Sequence, residues 1–150
     1  TAVRVAVVTA KMLALSTGAA CVAVPSADVV ARRAGRACAV CLASKGDDCF
    51  VTRFGPDGVG LAPGEIADAS SLSWVGIEVL IGDRFLPAPV RARAAELGIP
   101  VEEPEFDPAA CLELGSVRAG ISPHDILPIY PRIPEAVRKW RELGRSGPHN

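Results

Sequence analysis

Cys38 and Cys41 are spaced Cys-x-x-Cys, the pattern of dithiol redox centres and of zinc sites. Both chemistries need the two sulfurs on one side of the backbone. This pair falls within Ala37 to Ala43, an apolar run that reads as a β-strand, where residues three apart point to opposite faces. The two thiols therefore cannot chelate together. No helix N-terminus is at hand to lower a thiol pKa, and no further pair of ligands stands at metal spacing. With Cys21, Cys49 and Cys111 they make five cysteines, an odd number without framework spacing, read here as reduced structural thiols in a cytoplasmic setting.

The histidines are His124 and His149. A Ser/His/Asp or Cys/His centre would have to be built around His124, yet Ser122 to Asp125 reads more simply as a turn or helix cap. Gly55 to Gly60 has the glycines of a phosphate loop but joins two strands, lacks a Lys-Ser/Thr ending and opens no helix, so it reads as a hairpin turn. Arg132, Arg138, Lys139, Arg141 and Arg145 form a basic set that an RNA backbone could meet. Val137, Trp140 and Leu143 supply the other reading, a short amphipathic helix whose basic face is simply solvated. No catalytic residue, metal ligand or cofactor site emerges from these groups.

They sit on a chain of 150 residues, room for one domain or two small lobes. A composition 49% hydrophobic and 22% charged belongs to a folded chain with a core. Sixteen basic and seventeen acidic residues leave a net charge of -1, so no global field recruits nucleic acid or an anionic membrane. The most apolar stretch is Ala2 to Val24. Lys11 near its middle costs about 2.5 to 3.5 kcal/mol in lipid, and Arg4 adds to that, which argues against a membrane span. Gly18, Ala19, Ala20, Cys21 imitates a lipoprotein cleavage box, but Gly18 stands where an apolar residue belongs and Lys11 interrupts the hydrophobic segment.

A core helix fits better. Thr1 can cap it, Val3, Ala6, Val7, Ala10, Leu13 and Ala14 follow helical spacing, and Gly18 is placed as its C-cap. The opposite stripe, Arg4, Val8, Lys11 and Leu15, is apolar apart from its two cations, so the helix needs cover on two sides. One side would lie on the chain's own sheet. The Arg4, Val8, Lys11, Leu15 side would take either a partner's helix or further burial within this chain.

Downstream, Cys21 to Val24 reads as a short strand and Ser26 to Arg33 as a helix capped by Ser26. Ala37 to Ala43 and Cys49 to Phe54 read as a hairpin turning at Ser44 to Asp48, with Val59 to Leu61 as a third strand and Pro63 to Ser70 as a helix. Val75 to Ile81 reads as a central strand, Pro89 to Leu97 as a helix stopped by Gly98, Ile99 to Val101 as an edge strand, and Pro108 to Arg118 as a helix capped by Asp107. The proline-laden segment Ile126 to Ile133 is an extended strap, followed by a helix over Pro134 to Leu143 and a frayed tail from Gly144.

Several of these stretches, in their order and spacing, resemble the bacterial TsaB (YeaZ) family. They are Thr1-Ala2-Val3-Arg4 with the helix running to Leu13-Ala14-Leu15, then Cys21 to Pro25 and Ser26, and the hairpin Ala39 to Phe54 with Lys45 and Gly46 at its turn. Pro128-Ile129-Tyr130-Pro131-Arg132 followed by Pro134-Glu135-Ala136 is similar to the family's closing Pro-x-Tyr-x-Arg signature, carried by Pro128, Tyr130 and Arg132. The resemblance implies an α/β, two-lobed actin-like ATPase (ASKHA) fold with mixed sheets flanked by helices. Residues 34–107 would form the second lobe, and residues 1–33 with 108–150 an incomplete first lobe, because the family's opening strands and glycine-rich turn precede Thr1. An exposed edge and a bare helix then imply self-association or strand borrowing.

The same resemblance implies a non-catalytic scaffold for making N6-threonylcarbamoyladenosine at tRNA position 37, with no cofactor of its own. Its partner would be a TsaD-like catalytic subunit, with a TsaE-like ATPase as a further candidate, a homodimer in isolation, and tRNA met only indirectly. The family's first-lobe interface carries over onto Arg4, Val8, Lys11 and Leu15. One departure is the hairpin turn, where Ala43 and Lys45 replace the acidic residue and arginine often found in the family. A glycoprotease-like peptidase and a nucleotide-binding kinase-like protein are the alternatives.

Overall fold

A computed structural model describes residues 2–132 together with 137, 139 and 140. Helix α1 (Ala2–Thr17) ends where the sequence places its stop: Gly18 takes a φ of +71° and its N–H donates to Ala14 O at 2.9 Å. The proposed Thr1 cap lies outside the described residues. Cys21 to Val24 is not a strand. A lone bridge joins Cys21 to Ile121, and Pro25 then turns the chain into α2 (Ser26–Ala34). Ser26 is the first helical residue rather than the cap, a place taken by Pro25, whose ψ of 138° is already extended.

The hairpin forms as expected from β1 (Cys38–Lys45) and β2 (Asp48–Phe54), with Gly46 at φ +63° in its turn. The third antiparallel strand is β3 (Glu65–Asp68), where the sequence suggested a helix, and Val59 to Leu61 contributes a single bridge between Gly60 and Phe54. Packing overrides local preference here. Gly64 lets the backbone pass so close to β2 that an added Cβ would stand 2.3 Å from Phe50 Cζ and 2.7 Å from Thr52 Oγ1. Strand β4 (Val79–Gly82) runs parallel to β1, α3 (Ala88–Glu96) crosses over, and β5 (Val101–Glu102) adds a parallel edge one to two residues beyond its expected place. The start of the expected central strand is not buried, since Val75 is exposed in the loop before β4. The order across the mixed sheet is β3-β2-β1-β4-β5.

Both faces of this sheet are covered. On one lie α3 and the loops beside it, with Val90, Ala94, Leu86 and Leu72 packed on Ala39, Cys41, Cys49, Val51 and Leu80. On the other lies α2, with Ala27, Val30 and Ala31 packed on Cys38, Val40, Phe54, Val79 and Ile81. Alternation along β1 thus sends its cysteines to opposite cores. All five strands fall inside residues 34–107, yet α2, from the preceding segment, is the helix that seals one of their faces.

Helix α4 (Pro108–Ser116) starts with Asp107 as its cap, Oδ1 accepting from the Ala109 N–H at 2.9 Å. It lies beside α2 through Arg33–Asp107 at 2.9 Å, Arg32–Glu113 at 3.6 Å and the Arg118–Asp28 pair. The expected strap, Ile126 to Ile133, is described as far as Arg132 and has no regular structure there; it continues from Ile121 through a 3-10 turn over Pro123–Asp125, and residues 121–132 together form one strap. The helix expected over 134–143 and the tail beyond lie largely outside the described residues, although Val137, Lys139 and Trp140 are helical.

After β3 the chain turns on Asp68, whose carboxylate accepts from the Ser70 hydroxyl at 2.7 Å and amide at 2.9 Å, and from the Ser71 amide at 2.8 Å and hydroxyl at 2.9 Å. These bonds, led by the Ser70 hydroxyl, hold the carboxyl well below its ordinary value of 3.8. A depressed folded-state pKa contributes stability above the unfolded value and loses it as pH falls. Asp68→Ala is therefore expected to lower Tm at neutral pH, with the gap to wild type narrowing as pH drops below 3.8. Thermal melts across that range check the sign; a gap that stays constant would refute it.

Candidate protein-docking surface

The thiols and the histidine, which opened the search for chemistry, occupy structural positions. Cys38 and Cys41 are both buried, one in each core, and cannot meet. Burial pushes the Cys38 thiol up to about 11, partly opposed by the charge of Arg36. Cys41 is held above the usual thiol range by its hydrogen bond with Cys49 and by burial. Burial thus disfavours the thiolate at both positions. His124 lies in the 3-10 turn capped by Ser122, whose hydroxyl accepts from the His124 N–H at 3.3 Å, which is the turn the sequence suggested. Gly55 to Gly60 is likewise a turn, closed by Gly58 N–H to Gly55 O at 3.0 Å.

Among the described residues, no group of three or more His, Cys, Asp or Glu could hold a metal ion. A cleft of about 80 Å³ at the carboxyl ends of β4 and β5 is lined by Val30, Arg33, Ile81, Glu102, Glu103 and Glu105. Small-molecule sites usually enclose roughly 300 to 1,000 Å³, so this one is too small. Glu102 and Arg33 are also occupied, in ion pairs with Arg36 and Asp107.

The unusual surface is α1. At 1.5 Å per residue it is about 24 Å long, and it is apolar almost all round, as the sequence implies. Its cover is meagre. Ala14 is buried and Val7 and Lys11 are half-buried, a single line at i, i+4 and i+7, while Val3, Val5, Val8, Met12, Leu13 and Leu15 are all more than half exposed. The helix does not lie on the sheet as expected: both sheet faces are already taken by α2 and α3, and the element packed on α1 is the 3-10 turn of the strap.

The predicted stripe divides between two roles. Arg4 and Lys11 turn inward to the strap: Arg4 Nε donates to the Tyr130 hydroxyl at 2.7 Å with its guanidinium 5.4 Å from the ring centre, and Lys11 Nζ donates to His124 O at 3.2 Å. Val8 and Leu15 lie further round the helix, bare. They continue a seam with Val5 and Met12, whose 3-4-3 spacing along 5, 8, 12 and 15 is that of knobs awaiting another helix. Val5 and Met12 were missed because the cations drew attention to positions 4 and 11, although the seam spacing was legible.

The strap residues singled out by sequence are anchors. Tyr130 meets Arg4, as described. Arg132 reaches the hairpin, where its guanidinium donates to Ala43 O, to Asp48 O at 3.3 Å and to the Asp48 carboxylate. Pro128, two residues before Tyr130, is half-buried. Asp48 and the Ala43 carbonyl gave no sign in the sequence, because a carbonyl leaves a ladder only where the strand bulges. That happens here between Leu42 and Lys45, with Ala43 at a φ of 51°.

Among the described residues, no helix is long and apolar enough to cross a membrane. No family model matches the sequence, and no curated protein matches it. Its fold, however, is similar to the crystal structure of an uncharacterized protein with similarity to peptidase YeaZ from Pseudomonas aeruginosa. The TM-score is 0.64 at 13% identity, over 87% of this chain and 67% of that one. What the likeness establishes is architecture: among the described residues, a mixed five-stranded sheet with helices α1 to α4, similar to a YeaZ-like protein.

Proposed function

We propose that this chain is a non-catalytic scaffold subunit of the complex that forms N6-threonylcarbamoyladenosine at tRNA position 37, and that it docks a TsaD-like catalytic subunit through α1. The observation that carries the proposal is the bare apolar seam Val5, Val8, Met12 and Leu15 on a helix with little cover among the described residues. Exposed apolar surface of this extent marks an interaction site. A seam at 3-4-3 spacing suits an apolar helix rather than a flat lipid surface or a polyanion. The YeaZ-like architecture and the Pro-x-Tyr-x-Arg strap supply the family context.

In this reading residues 34–107 are the second lobe of an actin-like fold, and residues 1–33 with 108–150 belong to the first. The Cys21–Ile121 bridge and the ion pairs of α2 with Glu113 and Arg118 support the association of those two outer segments. The setting is the cytoplasm, the tRNA is reached through the partner, and an isolated chain pairs with a second copy across the same seam. Co-purification of the full chain with a TsaD-like subunit tests the proposal. A stable complex is expected; its absence at micromolar concentrations, or peptidase activity in the purified chain, would overturn it.

A further inference from the structure

We propose that the strap 121–132 is a latch through which Arg132 positions α1, although the hydrogen bonds and ion pair of Arg132 all go to the hairpin. The inference holds whatever binds α1. Both long-range polar ties of α1 described above, Lys11 to His124 O and Arg4 to the Tyr130 hydroxyl, end on the strap, as does its packing against the 3-10 turn. A helix so thinly covered is marginal alone, since isolated helices of its length hardly persist in water. Its place is therefore set by where the strap lies.

The strap in turn has no ladder to hold it. It meets Cys21 through one bridge at Ile121 and, apart from the 3-10 turn over Pro123–Asp125, runs free of regular structure to Arg132. Pro123, Pro128 and Pro131 fix φ at three points and make it a semi-rigid spacer, so restraint at one end is passed to the other. That restraint is Arg132, seated on the rigid sheet at the bulge. Its planar fork serves the Ala43 carbonyl, which the register shift has freed from β2, together with the carbonyl and carboxylate of Asp48. The chain of contacts thus runs from sheet to hairpin turn, to strap, to α1.

Hydrogen exchange on the full chain, read by peptide mass, tests the latch because it resolves α1 from the sheet. Arg132→Ala is expected to speed exchange in α1 by about fivefold or more, in step with residues 121–130, while β1 and β4 change less than about twofold. Asp48→Ala, which keeps both carbonyl acceptors, should give a smaller rise with the same pattern, and it reads the coupling should Arg132→Ala fail to fold. Acceleration confined to residues 121–132 with α1 unchanged would overturn the proposal. So would an equal rise in β1 and β4, since Arg132 would then be holding the whole fold.

Discussion

Val8→Asp combined with Leu15→Asp is expected to weaken binding of the TsaD-like partner by at least about a hundredfold while leaving Tm within a few degrees of wild type. The two effects separate because of exposure. In the free chain Val8 is 57% and Leu15 53% exposed, so a carboxylate at either position stays hydrated. In a closed interface each would be stripped of water with no cation opposite; Arg4 and Lys11, the nearest on the helix, are engaged with the strap. An unpaired buried charge costs several kcal/mol, and about 1.4 kcal/mol is tenfold in affinity, so two such sites exceed the stated loss. Titration calorimetry with the partner, beside a thermal melt of each variant, checks both halves. Unchanged affinity would remove α1 from the interface. Ala14→Asp offers the contrast: Ala14 is buried, so that change is expected to lower Tm as well.

Leu80→Ala is expected to cost about 2 to 5 kcal/mol, the range of buried leucines. Leu80 is fully buried at the centre of β4, between β1 and β5 and beneath α3, where Val90 and Ala94 are also sealed from water. Its removal leaves a cavity that backbone hydrogen bonds on both sides prevent from collapsing. For a chain of this size the loss corresponds to a fall in Tm of roughly 5 to 15 °C. Ile66→Ala on the edge strand β3 is the control, because Ile66 is 38% exposed and less packing is lost; about 1 kcal/mol or less is expected. Urea denaturation with a fitted m-value decides it: equal losses at the two positions would mean that the sheet does not have the centre and edge described.

The sheet was legible where local signals and burial agree. The hairpin shows in two apolar runs around Lys45 and Gly46, α3 in its glycine stop, α4 in its aspartate cap, and the separation of Cys38 from Cys41 in strand alternation alone. It was misread where tertiary contact decides. Pro63 to Ser70 has no strand pattern of its own, and β3 exists because β2 offers a free edge and Gly64 permits close approach. Cys21 to Val24 has strand composition but pairs at one residue. On α1 the excess of apolar side chains was plain, whereas the face left bare was not, since that depends on a strap more than a hundred residues away in the chain. Arg132 was noted for its place in a signature, and its acceptors became visible only with the bulge.

The pairing of β1 with β4 has a kinetic consequence. The hairpin closes across a turn at Gly46, so its contacts form at little cost in chain entropy, but β4 reaches β1 only after the whole excursion through β2 and β3 has been drawn in. Assembly is thus ordered in time, with the hairpin formed by the rate-limiting step and the docking of β4 completed after it. Core substitutions in β1 and β2 should slow refolding, whereas Leu80→Ala should chiefly hasten unfolding; stopped-flow chevrons with the opposite assignment would reverse that order.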